Sequence, residues 1–318
     1  MQRTICSITD SFGVPKGIKR GCLLSPLLFI LAMDWIMHET TSEKKRGIRW
    51  TLAAVLEDLD YADDVGLLSS KHQDIQEKTN KFHSTAETVG LKINIKKTKT
   101  MKINSRIEEP IKVVETPIEE VEEFIYLGSK VTKDGDAERD VISRLGKARF
   151  AYASLRKVWN AKNISTKTKL RIFKSNVLSV LLNGAETRKM TTSINSRIET
   201  FQSRCLRRIL RIYWYHRVTN EEVRRRAGLR PIVEEVRNRR WKWLGHVSRM
   251  EKDAPPRIAL RWTPEGKRKR GRPKETWRRT MERELKEQQL TWESVNKKAA
   301  NREQWRELVA ALYTTRCE

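Results

Sequence analysis

Between Asp58 and Asp64 four aspartates fall within seven positions, in the stretch LEDLDYADDVGLLSS that runs from Leu56 to Ser70. Two of them, Asp63 and Asp64, are adjacent at what reads as a tight corner. Like charges a few ångströms apart repel and raise one another's pKa unless a cation neutralises them. Oxygen-only ligands suit Mg²⁺ or Mn²⁺, and phosphoryl transfer commonly uses two such ions, one at the attacking and one at the leaving oxygen. A solvated acidic turn is the plainer reading of an arbitrary Asp-Asp pair. Here the pair follows an aromatic residue, Tyr61, in a strand-like context. Asp58 and Asp60 flank the corner at alternate strand positions, which are expected to send at least one of them outward, so neither is made a ligand.

The elements around this corner must hold it. Leu59 and Tyr61 alternate with acids before VGLLS, which predicts two short strands meeting at Asp63/Asp64. Upstream, Ser25 and Pro26 form an N-cap and N1 pair for a buried helix running to about Thr40. Downstream, Ile75, Phe82, Ala86 and Val89 recur at helical spacing and stop at Gly90. LKINIKKTKTMKIN and EEFIYLGSKVTKDG alternate as strands, the second closing on a turn at Asp134-Gly135. Residues 1–135 therefore read as a helix-backed antiparallel sheet.

After Asp136 the pattern is helical. One helix is marked by Val141, Leu145, Ala148, Tyr152 and Leu155. A second carries Leu170, Phe173, Val177 and Leu181 behind a Ser165 cap, and a third Ile198, Phe201, Cys205 and Ile209. Thr219 and Glu222 have capping-box spacing before a fourth. A last helix is expected across TWESV to VAALY. The class is α+β, with divisions expected at 1–135, 136–220 and 221–318.

The charge is one-sided. Of 66 Lys+Arg and 40 Asp+Glu, residues 1–135 carry 20 of each sign, so the whole formal excess of +26 lies in residues 136–318. Such an excess favours a polyanionic partner, nucleic acid before an anionic membrane surface. The four cysteines, Cys6, Cys22, Cys205 and Cys317, have no finger spacing and read as reduced thiols. The longest apolar run, LLSPLLFILAMDWIM, is interrupted by Ser25, Pro26 and Asp34 and is too short for a membrane span. Nothing at Met1 argues for secretion. His246 lacks a Cys or His at ligand spacing and reads as a capping or packing residue. Seven of the ten tryptophans lie among basic residues, an arrangement suited to base stacking with phosphate contact, although Trp241 and Trp243 on an amphipathic helix read as core.

YADD, Tyr61 to Asp64, resembles the catalytic box of reverse transcriptases. GIKRGCLLSPLLF, Gly17 to Phe29, resembles the segment that precedes that box in non-LTR retrotransposon enzymes. GLKINIKKTKTM from Gly90 and EEFIYLGSKVTKDGD from Glu122 are similar to the segments that follow it. SRLGKARFAYASLRKVW, CLRRILRIYW, EEVRRRAGL, RRWKWLGHVSRM and GKRKRGRPKETWRR are similar to the C-terminal part of these polyproteins. The ordered boxes cover essentially the whole chain.

The resemblance implies a partial polymerase palm in residues 1–135, a helical thumb in 136–220 and a basic nucleic-acid-binding region in 221–318. It implies Asp63 as a metal ligand with Asp64 as its weaker partner, and Mg²⁺ (or Mn²⁺) as the cofactor. Tyr61 would pack beside the nucleotide or primer end. Arg20, Gly21, Cys22, Leu23, Ser25 and Pro26 would lie under template and nucleotide, with Arg20 standing where the family usually has Gln. Lys97 or Lys99 would fall in the lysine region assigned to the leaving pyrophosphate, and Tyr126, Leu127 and Gly128 in the primer-gripping hairpin. The implied partners are an RNA template and a DNA primer or target.

The family's first catalytic aspartate lies in an upstream FD box. Asp10 and Asp34 are in no such box, so the chain is expected to be inactive alone, as an enzyme fragment, a non-catalytic nucleic-acid-binding protein or a decayed relic. KRKRGRPK, Lys267, Arg268, Lys269, Arg270, Gly271, Arg272, Pro273 and Lys274, contains a match to the core of an AT-hook, in which arginines enter a narrow minor groove. A solvated basic linker or nuclear-import patch is the plainer reading. A nuclear location is expected.

Overall fold

Pro26 sits in the first turn of the first helix, where its missing amide costs nothing. The computed structural model describes residues 23–51, 54–105, 107–135, 137–263 and 275–314. Arg20, Gly21 and Cys22, and the whole of Lys267–Lys274, lie outside them. The chain divides into two compact units, 1–122 and 123–318.

The first unit contains α1 (Ser25–Thr41), β1 (Ile48–Arg49), β2 (Val55–Leu56), β3 (Asp58–Tyr61), β4 (Asp64–Leu67), α2 (His72–Thr88), β5 (Lys99–Thr100), β6 (Lys112–Val113), β7 (Thr116–Pro117) and β8 (Glu119–Glu120). One small core joins Met33 and Ile36 of α1 to Ala86 of α2, with Phe29, Val65, Phe82 and Leu91 against them. A second gathers Ile111, Val113 and Ile118 around Ile75, Ile93 and Ile95. The helix over residues 75–89 thus forms as the spacing predicts. It ends where the Gly90 backbone turns left-handed and Leu91 N–H returns to the Ala86 carbonyl.

Three expectations are corrected here. The described strands form separate two-stranded ladders, β1–β2, β3–β4, β5–β8 and β6–β7, in place of one helix-backed sheet, and β5–β8 is parallel. LKINIKKTKTMKIN supplies only the two residues of β5, because Asn94 folds the chain over itself by accepting the amides of Lys97 and Thr98. Helix α1 buries Met33, Ile36, Met37 and Thr40 among its described residues. Its other flank leaves Leu27, Leu28, Ile30 and Leu31 exposed, and Ser25 is inside the helix, with Leu24 at the cap.

The second unit opens with a hairpin of β9 (Glu123–Tyr126) and β10 (Ser129–Thr132). The segment read as one strand is thus two, since Leu127 and Gly128 both take positive φ, 46° and 76°, and reverse the chain in the manner of a type I′ turn. This hairpin lies with the helices of residues 123–318, although sequence alternation groups it with residues 1–135. The helices follow as α3 (Ala137–Ser154), α4 (Arg156–Asn160), α5 (Thr166–Ile172), α6 (Ser179–Leu182), α7 (Thr192–Ile209), α8 (Asn220–Ala227), α9 (Ile232–Ser248), α10 (Pro255–Ala259), α11 (Trp277–Glu287), α12 (Trp292–Ala300) and α13 (Arg302–Thr314). A π-helical stretch, Phe173–Leu178, joins α5 to α6 and keeps Phe173, Val177, Leu181 and Leu182 on the buried side.

Caps form where the residues predict them. Ser165 Oγ accepts from Thr168 N–H and Thr219 Oγ1 from Glu222 N–H, both at 3.2–3.3 Å. The Glu222 carboxylate does not return to close the box. It turns forward to Arg225 and Arg226, whose guanidinium hydrogen bonds draw its pKa down to about 2. The single helix expected over TWESV to VAALY is two, because Asn301 leaves the helical region and its carboxamide oxygen accepts from Glu303 N–H at 2.9 Å, starting α13 afresh.

Two cores run through this unit. One packs α3 to α8 around Trp159, Phe173, Ile194 and Leu206 and takes Ile232 and Val236 from the first half of α9. The other packs α11, α12 and α13 around Trp241 and Leu244 from its second half. Gly245 lies at the tightest point of that contact, where an added Cβ would stand 2.0 Å from Trp305 Nε1. Trp241 is core as the pattern predicts, Trp243 is half-buried edge-to-face on Trp277 at 5.5 Å, and His246 stands exposed in the last turn of α9. Among the described residues no helix is long and apolar enough to cross a membrane.

Candidate metal-binding hairpin

Strands β3 and β4 pair antiparallel, Asp58 to Leu67 through Tyr61 to Asp64, and leave a two-residue turn of Ala62 and Asp63. Ala62 takes φ 57°, a left-handed conformation that a methyl group tolerates poorly. The turn therefore depends on the paired strands behind it. Tyr61 is 67% exposed, and Asp63 and Asp64 are exposed beside it. Neither aspartate side chain makes a hydrogen bond or an ion pair among the described residues.

The base of the hairpin is anchored by Lys78. This side chain is 1% exposed, and its ammonium donates to the Glu57 carboxylate at 2.6 Å, the Glu57 carbonyl at 2.9 Å and the Leu68 carbonyl at 2.7 Å. Glu57 and Leu68 flank the start of β3 and the end of β4, and Leu68 N–H closes on the Glu57 carbonyl at 2.9 Å. The Glu57 carboxylate also receives Arg46 N–H at 2.9 Å. One buried cation on α2 thus holds both legs of the hairpin. Sequence reading passed over it, although Lys78 lies three residues after Ile75 and four before Phe82, on the apolar stripe of its helix.

Asp58 and Asp60, two apart in β3, share one of its faces, and Asp60 is exposed as expected while Asp58 is half-buried. Burial raises the Asp58 carboxyl above its ordinary value, and Asp60 raises it further, against the lowering pull of Lys78. The folded protein then holds this proton more tightly than the unfolded chain. Stability accordingly falls as pH rises from the ordinary carboxylate range through the raised folded value. Asp58→Asn is expected to raise the melting temperature at pH 7 and to leave it unchanged near pH 3, where both side chains are neutral. Thermal melts at the two pH values check this; an equal or lower value at pH 7 contradicts it.

The donor set suits a hard divalent cation in kind: two carboxylates, unpaired and open to solvent. Mg²⁺ is commonly held by one or two carboxylates with substrate phosphates and water completing the octahedron, and Asp63 and Asp64 meet that part of the requirement. Among the described residues no group of three His, Cys, Asp or Glu side chains converges on one point. The hairpin alone is therefore not a closed protein cage.

Other expected site residues are distributed along both units. Ser25 and Pro26 open α1. Lys97 is exposed, with its ammonium in no ion pair among the described residues, whereas Lys99 pairs with Glu119 across β5–β8. Leu127 and Gly128 form the turn of β9–β10, with Tyr126 as the last residue of β9. That hairpin is tied to α3: Arg144 donates to the Gly128 carbonyl at 2.7 Å, and the Asp140 carboxylate accepts Lys130 N–H at 2.9 Å. Arg188 reaches the same carboxylate at 2.8 Å, and its burial lowers the guanidinium pKa. Asp140 and Arg144 are neighbours four residues apart on α3, whereas Arg188 carries no local sequence signature for this contact, since it joins them only when the helices pack.

Residues 7–131, which enclose the Asp63/Asp64 hairpin and run into β10, match the reverse transcriptase (RNA-dependent DNA polymerase) family. A transposon-derived protein of Caenorhabditis elegans is 26% identical over 243 residues, 72% of this chain and 85% of that protein. The retrovirus-related Pol polyprotein from a type-2 retrotransposable element of Drosophila melanogaster is 29% identical over 140 residues. Over residues 7–131 the chain is similar to reverse transcriptases. The match to the Drosophila polyprotein spans 40% of this chain and 13% of the polyprotein. Residues 151–182, from the end of α3 through α6, also match a family described only as a domain of unknown function.

Proposed function

We propose that the β3–β4 hairpin is the metal-holding element of an RNA-directed DNA polymerase palm. Asp63 and Asp64 hold a divalent cation beside the triphosphate, Tyr61 borders the primer end, and Lys97 reaches the leaving pyrophosphate. The cation, Mg²⁺ or Mn²⁺, supplies charge neutralisation at the α-phosphate and lowers the pKa of the attacking 3′-hydroxyl. Lys78 holds the hairpin base and the β3–β4 pairing holds the carboxylates, while Tyr126 to Gly128 on the β9–β10 turn are the proposed primer-gripping residues. The helical, strongly basic remainder holds template RNA and primer or target DNA, and a nuclear location fits a DNA target.

One observation carries this reading. Two adjacent carboxylates without partners among the described residues stand at the turn of a hairpin inside the reverse transcriptase match. Because the described residues supply two carboxylates and no third acidic or imidazole ligand, the chain by itself is expected to bind the ion with substrate present and to extend a primer only weakly.

Mn²⁺ binding, followed by water-proton relaxation with a deoxynucleoside triphosphate and an RNA-primed template present, is the direct test. Asp63→Ala is expected to weaken it at least about tenfold, as even loss of an outer-sphere partner does at many metal sites. Any primer extension by the parent chain should vanish in the same variant. Equal Mn²⁺ binding by both proteins, with no extension by either, would reduce the chain to a nucleic-acid-binding protein.

A further inference from the structure

Of the tryptophans among the basic residues, Trp241 and Trp305 are buried and stacked at 5.9 Å, Trp277 and Trp292 pack against the same core, and Trp214 is 89% exposed. It stands in the turn between α7 and α8 with Tyr213 at 54% and Tyr215 at 59% exposure. Three large aromatic rings on one short exposed turn form a patch that folding alone does not account for.

The turn is held at both ends. Arg211 adopts a left-handed conformation, φ 55°, and Ile212, 8% exposed, drops into the core while its N–H returns to the Arg207 carbonyl at 2.8 Å. Arg207 then donates to the Val218 carbonyl at 2.7 Å and the Asn220 carboxamide at 2.9 Å, closing the far end. Tyr213 N–H donates to His216 Nδ1 at 2.9 Å. The rings are mutually ordered: Tyr213 and Tyr215 lie 5.7 Å apart and 10° from parallel, and Trp214 stands edge-on to Tyr215 at 5.9 Å. Ordering such rings in advance lowers the entropy cost of anything that stacks on them.

The charge around the turn narrows the occupant. Between Arg204 and Arg217 there are five arginines and no acid. Arg208 and Arg217 are exposed and make no ion pair among the described residues, and Arg211 meets only the Asn160 carbonyl, at 3.4 Å. An acidic peptide would answer the cations, and an apolar helix would answer the rings. A single-stranded nucleic acid answers both, since its bases offer flat faces that a duplex keeps internally stacked, on a chain of phosphates. We propose that Tyr213–His216 is a stacking platform for the unpaired bases of a single-stranded nucleic acid, whose phosphates lie on Arg208, Arg211 and Arg217. The site is independent of Asp63 and of any metal.

The test uses the full chain in chelator and three labelled probes about a dozen residues long: oligouridine, oligothymidine, and an abasic deoxyribose-phosphate chain. Trp214→Ala is expected to weaken binding of both base-bearing probes by roughly 5- to 100-fold and to leave the abasic probe unaffected, while Trp214→Phe retains most of the affinity. Arg211→Gln with Arg217→Gln should flatten the salt dependence for all three probes. A loss confined to the RNA or to the DNA probe supports the platform and names its source. Unchanged affinity in Trp214→Ala, or an equal loss on the abasic chain, overturns the proposal. So does unchanged probe binding accompanied by loss of self-association in sedimentation, which would make the turn a contact between copies.

Discussion

Replacing Glu284 with alanine is expected to destabilise the C-terminal helical cluster by about 3–5 kcal/mol, the usual cost of removing one partner from a buried ion pair. Glu284 on α11 is buried. Its carboxylate accepts from Arg240 Nη1 at 2.6 Å and Trp241 Nε1 at 2.8 Å, and Arg237 Nε stands 3.5 Å away. Arg240 is 2% exposed and Trp241 fully buried, so the guanidinium and the indole N–H would lose the Glu284 carboxylate where water does not reach them. Both partners are on α9, the helix shared by the two cores, so the loss should spread beyond the terminal cluster. The melting temperature should fall by roughly 6–20 °C for a unit of this size. Glu284→Gln, which keeps an acceptor for Trp241, should lose less. Circular dichroism melts of the three proteins decide it; a shift below about 2 °C for the alanine variant would mean that the carboxylate is dispensable.

Lys78→Met should have an effect of similar size in the first unit, about 3–5 kcal/mol, for the converse reason. Methionine fills the volume but leaves the Glu57 carboxylate, 12% exposed, without its cation, and leaves the Leu68 carbonyl without its donor. The two legs of the β3–β4 hairpin would no longer share an anchor. Adding Glu57→Gln to Lys78→Met should recover part of the loss, because removing both charges restores neutrality. A double-mutant cycle on denaturant midpoints measures that coupling. Strict additivity of the two substitutions would show that Lys78 and Glu57 act separately.

Much of the helical architecture is legible in the chain itself. Spacing of Val141, Leu145 and Ala148, or of Ile198, Phe201 and Cys205, fixes a helix and its buried face together, and Ser165 and Thr219 announce their helices through caps. The Asp63/Asp64 corner is legible for the same local reason: two strands and a two-residue turn occupy one uninterrupted stretch. Pairing between distant strands is not, since β5 finds β8 through contacts that alternation along either segment does not encode. The buried charges are illegible for a related reason. Lys78, Asp140 and Glu284 look like surface residues until a partner about 20 to 50 positions away is brought to them. Trp241 is legible as core from the amphipathic pattern of its helix, whereas Trp214 lies outside any periodic stretch, and its exposure shows only once packing is known.

At Gly245 the absence of one carbon governs a whole interface. With a Cβ only 2.0 Å from the Trp305 ring nitrogen, any larger residue must drive α13 off α9 or turn the indole out of its seat. That indole donates to the Trp241 carbonyl at 3.1 Å, so the displacement would be passed to the ring that Glu284 holds. A hydrogen atom on one helix thereby gauges the spacing of its neighbours, and the terminal module has a single admissible fit.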